Sequence, residues 1–213
     1  MEEPFLDSKC PYCSSLVSFP RSSVGSLQDC PNCSEMLIVP QEGVEVAVKL
    51  PIPIQTPRLL ARRLRDTDSE DLLELMEDSS SFRYLDWKPL NEEEVRDWLD
   101  RDRTLRITQP EGILCLALEL IDKQKVIGFV TVYFLEDRKQ VGFTLMINPA
   151  YRRQGFGTEA VCVAMALAFE GIEMYRVAVS CDSRNVEACR TLERAGMRRE
   201  GESVKSLFQK GSG

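Results

Sequence analysis

Arg152-Arg153-Gln154-Gly155-Phe156-Gly157-Thr158 joins two apolar stretches of this chain, residues 141–147 and residues 159–170. The first stretch has the length and composition of a strand, and the second is rich in alanine and long enough for a helix. Backbone N–H groups at the start of a helix are unpaired and lie at the positive end of the helix dipole. Glycines let a bound group approach the backbone closely, and Arg152 and Arg153 can add charge-assisted contacts. The stretch therefore predicts an anion site at a helix N-terminus.

The turn differs from two other phosphate loops, because it lacks both the G-x-G-x-x-G order and the G-K-[ST] ending. It is similar to the R-x-x-G-x-G turn that binds the coenzyme A pyrophosphate in the GNAT acetyltransferases. The alternative is an ordinary glycine connection between a strand and a helix. Further segments resemble that family in the expected order: an opening strand at 56–64, a capping turn at 66–68, a central strand at 126–133 and a late helix at 185–197. The opening strand and Trp87-Lys88-Pro89 favour the RimJ/RimL-like branch.

This resemblance implies both a fold and an activity. The fold is the α+β GNAT fold, a mixed and mainly antiparallel twisted sheet flanked by helices. The activity is transfer of an acetyl group from acetyl-CoA to an amine, which in this branch is the N-terminal amine of a ribosomal protein or another amine. The residues that the resemblance assigns to acetyl-CoA are the main chain of Leu145, Met146 and Ile147 along the pantetheine arm, Arg152, Arg153, Gln154, Gly155, Phe156, Gly157 and Thr158 at the pyrophosphate, and Asn185 near the pantetheine.

The proton donor and acceptor of this reaction are not evident from the sequence. The chain contains no histidine, so the side chain that most often titrates near neutral pH is absent. Where many family members carry a glutamate, a serine and a tyrosine, this chain has Gln140, Ala188 and Leu192. Three interpretations stay open. Water chains move the protons, another side chain substitutes, or the domain binds acyl-CoA as a sensor or interaction module with little turnover.

The candidates for a substituting catalytic side chain are Glu119, Tyr84, Asp86 and Cys189. We expect Glu119 to be a solvent-facing strand carboxylate and Tyr84 to pack in a loop against the core. A perturbed pKa would single out a catalytic group, and the sequence does not show one. A third functional hypothesis is a small-molecule or antibiotic-type N-acetyltransferase, which differs from the others in its acceptor.

Two C-x-x-C pairs lie in the first forty residues. Cys10 and Cys13 form the first pair, Cys30 and Cys33 the second, and sixteen residues separate them. This spacing fits a structural zinc site of the zinc-ribbon kind, in which four thiolates form a closed tetrahedron without catalytic function. Metal binding would supply the folding energy that so small a segment lacks. Two disulfides, which a cytoplasmic context disfavours, and iron in a rubredoxin-like site are the alternatives.

Composition limits the remaining function classes. The chain has 213 residues, of which 43% are hydrophobic and 29% charged, and a net charge of −7. These values are typical of a globular protein with one medium domain and one small one. The negative charge makes nucleic acid an unexpected partner, because nucleic-acid binding requires a basic face. No apolar stretch has the length of a membrane helix and no signal peptide is evident, so we expect no membrane contact and a cytoplasmic location.

The domain boundaries follow from these segments. We predict a zinc-ribbon-like domain at 1–40, a linker with a short strand at 41–56, and a GNAT domain at 57–213. A penultimate strand is expected at 203–209, and the sequence stops before the last family strand. Either that strand is missing or the sequence is cut short, and an unpaired sheet edge would favour homodimer contacts or strand exchange. The trio Arg62, Arg63 and Arg65 is expected on a solvated strand edge. The cysteines outside the two pairs are interpreted as packed core thiols: Cys115, Cys162, Cys181 and Cys189.

Overall fold

The computed structural model describes residues 4–24, 27–33, 36–40, 48–49, 52–85, 87–104, 113–135 and 140–203. Two small N-terminal sheets precede a six-stranded sheet that carries helices on both faces. This arrangement confirms the predicted α+β fold class, with a mixed sheet flanked by helices after a small cysteine-bearing segment. Asp86 and residues 204–213, which include nearly all of the expected penultimate strand, lie outside the described residues.

The N-terminal segment forms two antiparallel sheets. β1 (Phe5–Lys9) pairs with β2 (Leu16–Pro20), and β4 (Met36–Ile38) pairs with both β3 (Leu27–Asp29) and β5 (Val48–Lys49). Alternate residues of β1 and β2 are buried, as in strands with one covered face. Although β5 lies in the predicted linker, it extends this sheet. The side chains that form the small core are Leu6, Cys10, Val17, Phe19, Cys30, Leu37 and Val39.

The large sheet has its strands in the order β6-β7-β8-β9-β10-β11. Neighbouring strands are antiparallel except β10 and β11, which are parallel. The strand bounds are Ile54–Gln55 for β6, Leu59–Arg63 for β7, Ile113–Leu120 for β8, Lys125–Phe134 for β9, Gln140–Ile147 for β10 and Arg176–Val177 for β11. The predicted opening and central strands and the strand before the glycine turn correspond to β7, β9 and β10.

The helices pack on opposite faces of this sheet. Their bounds are Ser69–Glu77 for α1, Glu92–Thr104 for α2, Phe156–Ala166 for α3 and Val186–Arg194 for α4. Because side chains alternate along a strand, Leu116 and Leu118 of β8 join the core beneath α3, whereas Cys115 and Ala117 join the core beneath α1 and α2. Within the part of the chain that the structure describes, no helix is both long and apolar enough to span a membrane.

Arg62 is buried on β7, so the expectation that it lies on a solvated edge is wrong. Its Nε donates to Glu119 at 2.6 Å, and its two Nη atoms donate to the two carboxylate oxygens of Asp68 at 2.8 and 2.9 Å. Burial acts to lower the pKa of Arg62, but the hydrogen bonds to Asp68 and Glu119 outweigh it and raise that pKa. Arg65 remains largely exposed, and Arg63 reaches Asp29 of β3 at 3.0 Å. The side chain of Glu119 is 12% exposed, so the expectation that it faces solvent is also wrong.

Candidate cofactor cleft and metal cluster

The glycine turn leads directly into α3, as its sequence predicts. Gly155 precedes the helix with a φ of +88°, a left-handed conformation that favours glycine, and no side chain caps this helix end. Glu159 makes the first intrahelical bond, to the carbonyl of Gly155. The N–H groups of Phe156, Gly157 and Thr158 therefore have no partner within the helix. This is the geometry of an anion site, with backbone donors at the positive end of an eleven-residue helix.

Arg58, just before β7, supports this turn from the side. Its guanidinium donates to one oxygen of Glu159 at 2.7 and 2.9 Å and to the Gln154 carbonyl at 2.9 Å. The same guanidinium stacks 4.1 Å from the ring centre of Phe156. Thr56 adds a short hydroxyl contact to Glu159. This support is not evident in the sequence, because 101 residues separate Arg58 from Glu159 and each resembles an ordinary surface charge.

The two arginines of the turn have different partners. Arg152 turns back into the protein, where its Nε donates to the Ile147 carbonyl at 3.0 Å and its Nη2 donates to the hydroxyl of Ser81. Its Nη1 lies 3.7 Å from Asp78. Arg153 is 84% exposed and pairs with Glu187 at 2.8 Å. Arg153 is thus free to turn toward a phosphate at the cost of one surface ion pair, whereas Arg152 connects the turn to the segment at 78–82.

On the side of β11, β10 is paired only near its start, which leaves a gap in the strand pairing along the rest of that edge among the described residues. The two strands pair at Gln140 with Arg176 and at Val141 with Val177, and Ala178 adds one N–H bond to the Val141 carbonyl. Past these residues, the described part of the chain supplies no further strand partner on that side of β10. Backbone groups that face this gap are available to an extended ligand.

Residues 145–147 lie at the open end of this gap. Their other neighbours are residues 128–130 of β9. Leu145 is partly buried, and Met146 and Ile147 are buried. The three residues assigned to pantetheine contact are therefore on the strand that leads to the turn.

Asn185 begins α4 and forms its N-cap. Its side-chain oxygen accepts a hydrogen bond from the Ala188 N–H at 3.1 Å, so this oxygen already caps the helix. The helix α4 packs against the start of α3, where a Cβ placed on Gly157 would lie 3.2 Å from Thr191. Together with the Arg153–Glu187 pair, this contact brings α4 and the glycine turn to one end of the sheet.

The catalytic candidates fall into two groups. Glu119 lies on β8, two strands away from β10, and is held by Arg62. Tyr84 lies in contact with two guanidinium groups, at 5.5 Å from Arg83 and 6.0 Å from Arg184, the residue before Asn185. Tyr84 and the start of α4 are therefore close to each other, and Glu119 is apart from them.

Cys189 lies on α4, and its Sγ is 3.4 Å from the Sγ of Cys181. Cys115 is buried, but Cys162 and Cys181 are exposed. The interpretation of these four cysteines as core thiols therefore holds for Cys115 and fails for Cys162 and Cys181.

The family assignment rests on a match over most of the chain. Residues 58–198 match the family model described as an acetyltransferase (GNAT) domain. The chain belongs to the GNAT acetyltransferase family. It is accordingly an acyltransferase enzyme, as the turn and the flanking segments predicted.

Relatives of this GNAT chain agree on the fold. The uncharacterized N-acetyltransferase YnaD of Bacillus subtilis is 25% identical over 150 residues, which cover 70% of this chain and 84% of that protein. A Vibrio cholerae structure described as a ribosomal-protein-serine acetyltransferase has a TM-score of 0.62 at 24% identity, with 73% and 88% of the two chains covered. The spermidine N-acetyltransferase of Vibrio cholerae, solved with CoA and spermine, has a TM-score of 0.61 at 18% identity, with 72% and 88% covered.

The four N-terminal cysteines lie outside the part of the chain that matches the GNAT model. All four Sγ atoms are within 4.8 Å of one another. The Sγ–Sγ distances are 3.7 Å between Cys10 and Cys33 and 3.7 Å between Cys13 and Cys30. Backbone N–H groups of Tyr12 and Asn32 donate to the sulfurs of Cys10 and Cys30 at 3.4 Å.

The bonding around these sulfurs suits a cation. Four thiolates bound to zinc at about 2.3 Å are about 3.8 Å apart in a regular tetrahedron, which agrees with the two 3.7 Å distances. Ser14 has a φ of +60° and donates its N–H to the Cys10 carbonyl at 2.9 Å, which closes the first knuckle. A side-chain hydrogen bond from Ser15 is the main cause that lowers the pKa of Cys13 to about 6. These residues fit a metal ion.

Proposed function

We propose that this enzyme, as a member of the RimJ/RimL-like branch, transfers the acetyl group of acetyl-CoA to the N-terminal amine of a protein. The observation that supports acetyl-CoA binding is the start of α3, which no side chain caps and where Gly155 adopts a left-handed conformation beside the open edge of β10. Backbone donors, helix dipole and an open strand edge at one place suit a pyrophosphate with an extended arm.

The residues proposed for acetyl-CoA are those that the resemblance implied, with changed roles for some. The N–H groups of the turn and the first turn of α3 would hold the pyrophosphate, and Arg153 would exchange Glu187 for a phosphate oxygen. The backbone of residues 145–147 would pair with the pantetheine arm, and Asn185 would lie beside it. Arg152 would support the turn rather than bind the phosphate, because Ile147 and Ser81 already accept its hydrogen bonds.

The choice of a protein acceptor over a polyamine follows the resemblance to the RimJ/RimL-like branch. The charges near Tyr84 do not decide it, because Arg184 beside the ring is paired with Asp182 at 2.6 Å and Arg153 of the turn is paired with Glu187 at 2.8 Å. The ribosomal-protein-serine acetyltransferase among the similar structures is consistent with this choice, and the spermidine enzyme represents the alternative.

The chemistry requires few groups from the protein. The amine nitrogen attacks the thioester carbonyl, the new N–C bond forms, the C–S bond breaks, and CoA leaves as a thiolate that needs little acid assistance. Positioning the two substrates and polarising the carbonyl can supply most of the rate. Because Glu119 accepts a hydrogen bond from Arg62, we propose that water rather than Glu119 removes the amine proton. Tyr84 is the side chain to test as a proton donor to the CoA thiolate.

The N-terminal cysteines are proposed to hold one structural zinc ion. The sulfur distances support this, and four protein ligands leave no open position for chemistry. Thiolate ligation is stable in a reducing compartment, which supports the proposed cytoplasmic location. Metal analysis of the purified protein should give one zinc per chain, lost in Cys10→Ser. A protein that holds no metal, or a metal content unchanged by Cys10→Ser, would refute this site.

The acceptor is tested by release of free CoA from acetyl-CoA with three panels: peptides with free N-termini, spermidine and aminoglycosides. The matched control for each peptide is the same peptide with its N-terminus already acetylated. Release with free peptides alone is expected. Release with spermidine or an aminoglycoside would instead identify a small-molecule enzyme, and acetyl-CoA binding without release would favour a sensor. Tyr84→Phe should lower kcat while leaving the acetyl-CoA affinity unchanged.

A further inference from the structure

Two thiols outside the metal cluster lie in contact at the start of α4. The Sγ atoms of Cys181 and Cys189 are 3.4 Å apart, and a disulfide needs about 2.05 Å. The sulfurs therefore have to approach by about 1.4 Å, which a side-chain rotation and a small loop shift can provide. Cys181 is exposed and Cys189 is partly exposed, so a small oxidant in solvent reaches the pair.

The surrounding backbone closes a tight loop between the two residues. The N–H of Asn185 donates to the Asp182 carbonyl at 2.8 Å, and the N–H of Cys189 donates to the Asn185 carbonyl at 3.1 Å. The thiol of Cys189 also lies 4.0 Å from the Asp182 carbonyl. The turn and the first turn of α4 thus hold both sulfurs on the same side of residues 182–185.

We propose that Cys181 and Cys189 are a redox-active dithiol that closes to an intramolecular disulfide with a hydroperoxide as oxidant. One sulfur attacks a peroxide oxygen, the O–O bond breaks, and a sulfenic acid and one water form. The second sulfur then attacks the sulfenic sulfur and releases a second water. Two thiols and one hydrogen peroxide thus give one disulfide and two waters, with two electrons passing from sulfur to oxygen.

The two sulfurs differ in their surroundings. Burial, followed by the hydrogen bond to Cys189, raises the pKa of Cys181 to about 11. The proposed reaction does not depend on which sulfur attacks the peroxide first, because the two sulfurs are in contact and either order gives the same disulfide.

The disulfide would act on the cofactor cleft, an extension that rests on the proposed function. The closed loop contains Asn185, and α4 also carries Glu187 against Arg153 and Thr191 against Gly157. Because the contact at Gly157 is tight, a shift of α4 is transmitted to the start of α3. We expect the oxidised enzyme to bind acetyl-CoA about fivefold more weakly than the reduced enzyme.

Peptide mapping of the full-length, metal-loaded protein tests the disulfide. Trypsin cuts after Arg176, Arg184 and Arg190, so the two cysteines lie in different peptides, 177–184 and 185–190. After hydrogen peroxide treatment and alkylation, the two peptides should be joined until a reductant is added. Cys162, an exposed thiol in peptide 154–176, is the internal control and should be alkylated in full.

Several results would overturn the proposal. These are alkylation of both thiols after peroxide, separate oxidation to sulfinic acids, or a link between two chains on a non-reducing gel. Cys181→Ser should bind acetyl-CoA as the reduced wild type does and show no response to peroxide. A disulfide that forms without change in acetyl-CoA affinity would refute the coupling to the cleft. Absence of acetyl-CoA binding in the reduced enzyme would refute the proposed function instead, and the mapping result would stand independently.

Discussion

Gly155→Ala probes the glycine turn most directly, because the backbone there is left-handed. An L side chain at a φ of +88° costs about 1–2 kcal/mol. The new Cβ would also lie 3.2 Å from Nη2 of Arg58, which must shift by a few tenths of an ångström. If the turn keeps its shape, the cost appears in the free energy of unfolding. If the turn relaxes, acetyl-CoA must restore the strained shape, and its dissociation constant rises by the same energy, about 5- to 30-fold.

Gly196→Ala is the matched control for this substitution. Gly196 has a φ of +93°, and a Cβ there meets nothing within 4 Å. If the turn keeps its shape, both variants should lose about 1–2 kcal/mol of unfolding free energy. If the turn relaxes in Gly155→Ala, only Gly196→Ala should lose stability. Isothermal titration calorimetry with CoA and urea unfolding measure the two quantities. A Gly155→Ala enzyme that keeps both its stability and its CoA affinity, or a Gly196→Ala enzyme that loses CoA affinity to the same extent, would refute the reasoning that a strained turn at Gly155 binds the anion.

Three further predictions concern single side chains. Glu119→Gln should lower the free energy of unfolding by about 1–3 kcal/mol, because buried Arg62 loses one charged partner, and should leave the pH profile of kcat unchanged; a large loss of kcat at unchanged stability would make Glu119 catalytic. Burial raises the pKa of Asp102 to about 6 against the opposing charge of Arg63. The folded form therefore binds this proton more tightly, and a stabilisation present below about pH 4, amounting to about 3 kcal/mol, is lost as the pH rises through 6. Urea titrations should show this loss in the wild type and not in Asp102→Asn. Arg58→Lys should weaken CoA binding severalfold, because lysine cannot donate to both Glu159 and Gln154 in the same geometry; equal affinities would exclude this support of the turn.

The features that the sequence predicted are those encoded locally. The turn and its flanking elements lie within thirty residues, and the two cysteine pairs mark their own site by spacing. The capping turn predicted at 66–68 directly precedes α1, but neither α1 nor α2 was itself predicted. Signals for both were present, because Leu72, Leu75 and Met76 and also Val95, Trp98 and Leu99 have the i, i+3, i+4 spacing of a helix face. Asn91 and Glu94 form a capping pair that is also visible in the sequence. The two-residue strands β6 and β11 are too short to give a periodic signal.

Long-range ion pairs were the main source of error. Arg62, Asp68 and Glu119 resemble solvated strand and loop charges in sequence, and only the sheet register between β7 and β8 brings them together in the interior. The same reason explains why Arg58 and Glu159 were missed. The periodicity of apolar residues predicts on which face of a helix or strand a residue lies, but it does not predict which residue it contacts across the fold. Charged residues that are chosen from sequence as catalytic candidates can therefore be ranked only after the ion-pair partner of each one is known from the structure.

Arg152 has a consequence for the order in which substrates bind. Its guanidinium joins the end of β10, through Ile147, to Ser81 and Asp78 in the segment that leads to Tyr84. When the pyrophosphate settles on the turn, any adjustment of Arg152 is carried into that segment. We propose that the acceptor surface near Tyr84 takes its final shape only when the cofactor is bound, and we therefore expect an ordered sequential mechanism with acetyl-CoA first. In product-inhibition experiments CoA should compete with acetyl-CoA and not with the amine.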